Sequence, residues 1–309
     1  MPIHPQCKAF LAALREAKRP AWNEMPLEEA RQTFNELPVF GERVAVDNVA
    51  DDTIAGVPVR IYHVHRSQPR DVIVYFHGGG WVLGGIESHD ALCRRLAKAA
   101  DATVVNVGYR NPPESPFPAA AEDCFTVCDV LGLDHAAYSV TDRIAVVGDS
   151  AGGNLAVSVA LMARQRGGPQ LAGQVLIYPV LDGTMASESY QQFATDHGLT
   201  AEVMSWFWEM YTGAGPSSSR HDPLASPAAA DDLHGLPPTH LLLAEYDVLR
   251  DEGRTFADRL SAAGVPTTVK QYDGMLHGFV HFAELFDDAA VATQQVAERC
   301  RQFFADPPL

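Results

Sequence analysis

The 309-residue sequence predicts an α/β protein, a mostly parallel sheet covered by helices on both faces. Three observations carry this. From about residue 56, short β-branched runs alternate with longer Ala- and Leu-rich segments. No period of 20 to 50 residues recurs, so a solenoid is not expected. With 47% apolar and 20% charged residues the chain is able to bury a core, and one globular unit spanning 1–309 is the expectation.

Taken in order, the chain opens with two amphipathic pieces. Phe10, Leu11 and Leu14 share one face, Leu27, Ala30, Phe34 and Leu37 recur at helical spacing, and Pro20 and Pro26 separate the two. Strands follow in VPVRIYHV, VIVYFH, TVVNVGY, RIAVVG, GQVLIYP, THLLLAEY and TTVKQYD, with helices near 88–100, 117–131, 151–166, 251–263 and 284–304. Such sheets place their sites at the carboxyl ends of strands. Between 183 and 235 the rhythm fails around the aromatic-rich SWFWEMY. An insertion of that length is either a lid over a site or a packing element.

Lys and Arg total 23 against 39 Asp and Glu, a formal charge of −16, which repels phosphate backbones and anionic lipid and argues against nucleic acid or a membrane surface as partner. The N-terminal MPIHPQCKAFLAALREAKRP lacks the apolar run of a signal peptide or spanning helix. Five cysteines, at 7, 93, 124, 128 and 300, show no paired CxxC spacing, so neither a disulfide framework nor a zinc site is expected, and a reducing cytoplasm fits. Cys124 and Cys128, one helical turn apart, read as buried thiols.

The segment AVVGDSAGGNLA contains G-x-S-x-G at Gly148, Ser150 and Gly152. The template alone arises by chance in roughly one chain of this length in ten. Its context strengthens it, because RIAVVG reads as a strand and AGGNLAVSVALMARQ as a helix, so Ser150 falls on a strained strand-to-helix corner where side chains at 148 and 152 would collide with their neighbours. A phosphate-binding loop is the rival, but the P-loop Lys and GxGxxG are both missing. Upstream, HGGGW (His77 to Trp81) follows a strand. Three consecutive glycines suit close approach of backbone amides to a ligand oxygen, and the N–H groups of Gly78, Gly79 and Ala151 are the expected oxyanion donors.

A nucleophilic Ser150 needs a base and an orienting acid, in the order Ser, Asp or Glu, then His, each after a strand. Asp247 follows THLLLAEY and His277 follows the last strand. Among the competitors, Asp251 and Glu252 fall inside the next helix, Glu245 on the strand, and Asp273 too early in its loop. His281, four residues after His277, raises a two-His metal face, but no third ligand stands at a recognisable spacing and no metal is expected.

Through HGGGW, YRNPPESPFPAAAED, DRIAVVGDSAGGNLA, YPVLD, DPLASP, DVLRDEG and LHGF, from about residue 70 to 280, the chain resembles the hormone-sensitive-lipase-like (bacterial family IV) carboxylesterases of the α/β-hydrolase superfamily. It departs at YRNPPE, where the family usually carries Leu-Ala after Tyr-Arg; Asn111 and Pro112 are expected away from the chemistry. The resemblance implies the α/β-hydrolase fold with an eight-stranded sheet, and a helical cap from about 1–42 and 183–216 over a core of about 43–182 and 217–309. It implies nucleophile Ser150, acid Asp247, base His277, an oxyanion hole from Gly78, Gly79 and Ala151, and loop-supporting roles for His77 and Asp149. No cofactor is implied. The implied reaction is hydrolysis of short- to medium-chain carboxylic esters through an acyl-enzyme, on small-molecule esters. Trp81, Phe207, Trp208 and Tyr211 are expected to line the substrate pocket or to pack the cap. A homodimer through an edge strand or the final helix also fits the family. Two other readings stay open: the same triad cleaving amides, carbamates or lactones, and a non-catalytic receptor on the same scaffold, as in plant gibberellin receptors.

Overall fold

The structure, a computed structural model, describes residues 2–37, 43–214 and 219–305. Of the expected cap, residues 1, 38–42 and 215–216 lie outside the described residues.

Two helices come first, α1 (Pro5–Ala17) and α2 (Leu27–Asn35). The strands are β1 (Asn48–Ile54), β2 (Val57–His63), β3 (Arg70–Phe76), β4 (Thr103–Val107), β5 (Val140–Asp149), β6 (Leu171–Ile177), β7 (Thr239–Tyr246) and β8 (Thr267–Leu276). Between them run α3 (Ile86–Ala100), α4 (Ala119–Leu133), α5 (Ala151–Arg166), α6 (Glu188–Gln192), α7 (Ala201–Thr212) and α8 (Arg250–Ala262), and α9 (Asp287–Ala305) closes the described chain.

The eight strands form one sheet in the order β1-β2-β4-β3-β5-β6-β7-β8, with β2 antiparallel to both its neighbours and every later pair parallel. Alternation along each strand feeds two cores. In β3, Val72, Val74 and Phe76 join one apolar cluster together with residues of α4 and α5, while Ile73 and Tyr75 join the other with residues of α3 and α9. The chain reverses its direction of travel across the sheet at β3, which lies between β4 and β5, so the crevice for a site opens at the carboxyl ends of β3 and β5.

One strand, β1, lies outside the seven read from their residues. It is an edge strand, mostly exposed, and carries Asn48, Asp51 and Asp52, residue types depleted in strands. The turn to β2 is Ala55-Gly56, both at positive φ (48° and 87°), a two-residue hairpin without the usual Asn-Gly or Asp-Gly mark. Asp273 is also corrected, since β8 continues to Leu276 and Asp273 stands within the strand.

Where the strand–helix rhythm fails, α6 and α7 stand between β6 and β7. The N-terminal segment meets this insertion: Asn23, between α1 and α2, donates to Glu202 at 3.1 Å, and Arg15 of α1 pairs with Asp196 at 3.3 Å. Helix α2 also reaches the glycine-rich loop, because Arg31 donates to the Val82 carbonyl (3.1 Å), the Pro112 carbonyl (2.8 Å) and both oxygens of Glu114.

Candidate active site

Strand β5 ends at Asp149 and α5 begins at Ala151, which leaves Ser150 alone at the corner with φ 55° and ψ −117°. Positive φ in a non-glycine residue costs about 1–3 kcal/mol and persists only where its surroundings over-determine it. Here the Ser150 N–H donates to the Ile177 carbonyl at 2.8 Å, and its own carbonyl accepts from Val180 N–H at 3.1 Å. The corner is tight enough that a Cβ on Gly152 would lie 1.9 Å from the Phe76 carbonyl oxygen, and one on Gly148 2.1 Å from that of Gly152. The glycines are therefore steric requirements of the turn.

Both expected partners arrive from neighbouring strand ends. His277, the first residue after β8, places Nε2 3.0 Å from Ser150 Oγ and Nδ1 2.7 Å from Asp247 Oδ2. Asp247, the first residue after β7, is buried, and its Oδ1 accepts the Leu249 N–H at 3.0 Å. A proton on Nδ1 directed at the carboxylate leaves the Nε2 lone pair facing the hydroxyl, the tautomer a general base requires. The Tyr178 ring packs 4.6 Å from the imidazole, and Tyr178 itself sits at φ 35°.

The competing carboxylates have other work. Glu245 accepts the Gly274 N–H at 2.6 Å, Asp251 pairs with Arg250 at 2.7 Å, and Asp273 accepts from Gln271 at 2.7 Å. Glu252, in α8, is buried and accepts the Leu181 N–H at 2.6 Å; burial pushes its carboxyl well above the ordinary range.

The glycine-rich loop after β3 corrects one expected donor. The Gly78 N–H points inward, donating to Asp149 Oδ1 at 3.0 Å with His89 Nε2 at 3.2 Å, so it is not available to a ligand. The N–H groups of Gly79, Gly80 and Ala151 have no hydrogen-bond partner among the described residues. Gly79 and Gly80 adopt φ 110° and 61°, the left-handed region that favours glycine. The spacing of HGGGW does not show which of its N–H groups is occupied, because the Gly78 partner stands 71 residues away in sequence.

The four aromatics expected at the pocket are buried. Trp81 stacks on Tyr211 at 4.2 Å and lies 4.9 Å from Trp208, while the Phe207 ring covers Gly80, where a Cβ would meet it at 2.2 Å. They join α7 to the glycine-rich loop as one packed group. Asn111 is nearer the site than its motif implied, since its amide donates to the Trp81 carbonyl. A groove of about 1160 Å³ that includes Leu171, Thr239 and Thr267 opens instead at the amino ends of β6, β7 and β8, the far end of the sheet.

A serine at a strained strand-to-helix corner, bonded to a histidine and through it to a buried aspartate at successive strand ends, with free amides alongside, defines a hydrolase of the α/β class. Residues 73–281 match the family described as the alpha/beta hydrolase fold. The chain is 40% identical over 279 residues to carboxylesterase NlhH of Mycobacterium tuberculosis, covering 86% of each chain, and 33% identical to an ethyl acetate hydrolase of Pseudomonas putida, covering 98% of this chain and 99% of the other. The solved structure of a hyperthermophilic esterase from Pyrobaculum calidifontis superposes with a TM-score of 0.93 at 36% identity, covering 99% of this chain and 100% of that one. The chain belongs to the α/β-hydrolase fold family, among the hormone-sensitive-lipase-like carboxylesterases.

Proposed function

We propose that this chain hydrolyses short- to medium-chain carboxylic esters through an acyl-enzyme on Ser150. His277 removes the Ser150 proton as Oγ attacks the ester carbonyl, and Asp247 holds the imidazole and stabilises its cation. The oxyanion of the tetrahedral intermediate is received by the N–H groups of Gly79, Gly80 and Ala151, the last at the positive end of α5. His277 then passes its proton to the leaving alcohol, and a water activated by the same imidazole cleaves the acyl-enzyme. The observation that carries this reading is the hydrogen-bonded series Ser150–His277–Asp247 at 3.0 and 2.7 Å.

The helices of 1–42 and 183–216 are read as a cap, supported by the seating of Phe207 on Gly80 and by the bonds of Arg31 to the loop after it. Small soluble esters in the cytoplasm are the proposed setting. Supporting it, the five cysteines are free and buried, and no helix among the described residues is long and apolar enough to cross a membrane. The test is hydrolysis of p-nitrophenyl butyrate by the native protein and by Ser150→Ala, compared at equal folded content. The expected result is turnover by the native protein and a loss of about 10³-fold or more in the variant. Equal rates would remove Ser150 from the mechanism.

A further inference from the structure

Directly behind the Ser150 corner lies a buried polar cluster that the proposed reaction does not use. Asp149, the residue before Ser150, is 3% exposed, and both its oxygens are engaged. Oδ1 accepts from the Tyr75 hydroxyl at 2.7 Å and from the Gly78 N–H at 3.0 Å, with His89 Nε2 at 3.3 Å; Oδ2 faces His281 Nε2 at 2.8 Å. Burial pushes the carboxyl up, but the His281 and His89 rings outweigh it and hold it well below the usual carboxylate range. The donor atoms of His89, Asp149 and His281 lie within 4.8 Å of one another, close enough to resemble a metal site, yet the carboxylate is saturated by hydrogen-bond donors.

The connections of this carboxylate matter more than its burial. Gly78 begins the glycine-rich loop whose next two N–H groups have no hydrogen-bond partner among the described residues. His281 ends the short helical turn Phe279–His281 that follows His277, and its N–H donates to Gly278 at 3.2 Å. Asp149 itself is joined by a peptide bond to Ser150. One carboxylate therefore ties together the three segments that carry the nucleophile, the oxyanion donors and the base.

We propose that Asp149 is a positioning residue for ester hydrolysis: its carboxylate fixes the oxyanion loop through Gly78 and the His277 loop through His281, both relative to Ser150. The proposal rests on the reading of Ser150 as nucleophile. Oxyanion amides and the base act on charge and on a proton that move only in the transition state, so loosening either loop lowers kcat and leaves KM nearly unchanged. Asp149→Asn is nearly isosteric and keeps an oxygen for Tyr75 and Gly78, but sets an N–H against the N–H of His281.

The experiment measures kcat and KM on p-nitrophenyl butyrate, with active sites counted by stoichiometric reaction with a phosphonate ester, for Asp149→Asn, His281→Leu, His281→Gln and the double variant Asp149→Asn/His281→Leu. The expected result is a fall in kcat per active site of about 10- to 100-fold in Asp149→Asn and His281→Leu, with KM within about threefold. His281→Gln, whose amide N–H reaches the position of Nε2–H, recovers most of the loss. The double variant loses no more than either single change, because both break one contact. Should Asp149→Asn fail to fold, the Leu and Gln variants at 281 carry the comparison. Unchanged kcat per active site in the folded variants, or a rise in KM alone, overturns the proposal. Full activity in Ser150→Ala would instead overturn the nucleophile reading beneath it.

Discussion

The sequence points to Ser150, Asp247 and His277 through their order and their places after strand ends, and the structure brings the three within 3.0 and 2.7 Å of one another in series. Which amides are left without a partner is not legible in the same way. Gly78 and Gly80 look alike in HGGGW, and only the inward bond of Gly78 to Asp149 and the φ of 61° at Gly80 separate them. The role of Gly80 is testable. A methyl group there meets the Phe207 ring at 2.2 Å, so Gly80→Ala must displace either the ring or the loop. The expected outcome is a fall in kcat of about tenfold or more, part of which Phe207→Leu in the same chain restores by making room. Steady-state kinetics on p-nitrophenyl butyrate would read it, and a Gly80→Ala variant with native kcat would place the donors elsewhere.

At the scale of elements, strands rich in β-branched and apolar residues announce themselves and the Asp-bearing edge strand β1 does not. The seven strands read from their residues include all those with apolar runs, whereas β1 is held by its hairpin and by pairs such as Asp51 with Arg60 (2.6 Å). The contact between α2 and the glycine-rich loop was equally hidden, since nothing in the spacing of Arg31 points to Val82, Pro112 or Glu114. The Arg31 side chain is 20% exposed and donates to two carbonyls and to the carboxylates of Glu114 and Glu28, so loss of the donor strands the carbonyls of the buried Val82 and Pro112. Arg31→Met, which keeps the apolar stem, is expected to destabilise the protein by about 1–3 kcal/mol. A urea denaturation curve identical to that of the native protein would show that this strap contributes nothing.

For the molecule as a whole, burial of neutral histidines predicts acid sensitivity. Burial lowers His77 to about 3 and His240 to about 4, and lowers His281 as well against the opposing pull of Asp149. Unfolded histidine titrates near 6.5, so below that pH the unfolded chain binds more protons than the folded one. Their contribution is fully present above about pH 6.5 and drains away as pH falls toward about 4 and then about 3. Protonation of surface carboxylates acts the other way by relieving the repulsion of a −16 chain, and about 0.5 M salt screens that effect. In such salt, the urea midpoint is expected to be lower at pH 5 than at pH 7, and His240→Asn, which retains the partner of Thr268 Oγ1, should narrow the gap. A midpoint that stays level or rises at pH 5 would contradict the histidine account.

If Ser150 Oγ is the nucleophile of ester hydrolysis, a reagent that captures it covalently marks that residue. The native protein would be treated with a p-nitrophenyl phosphonate ester, digested, and the modified peptide sequenced by mass spectrometry. A single adduct on Ser150, formed with loss of esterase activity and not formed in His277→Ala at the same rate, is the predicted result. An adduct on another residue, or full inactivation with Ser150 unmodified, would place the nucleophile elsewhere.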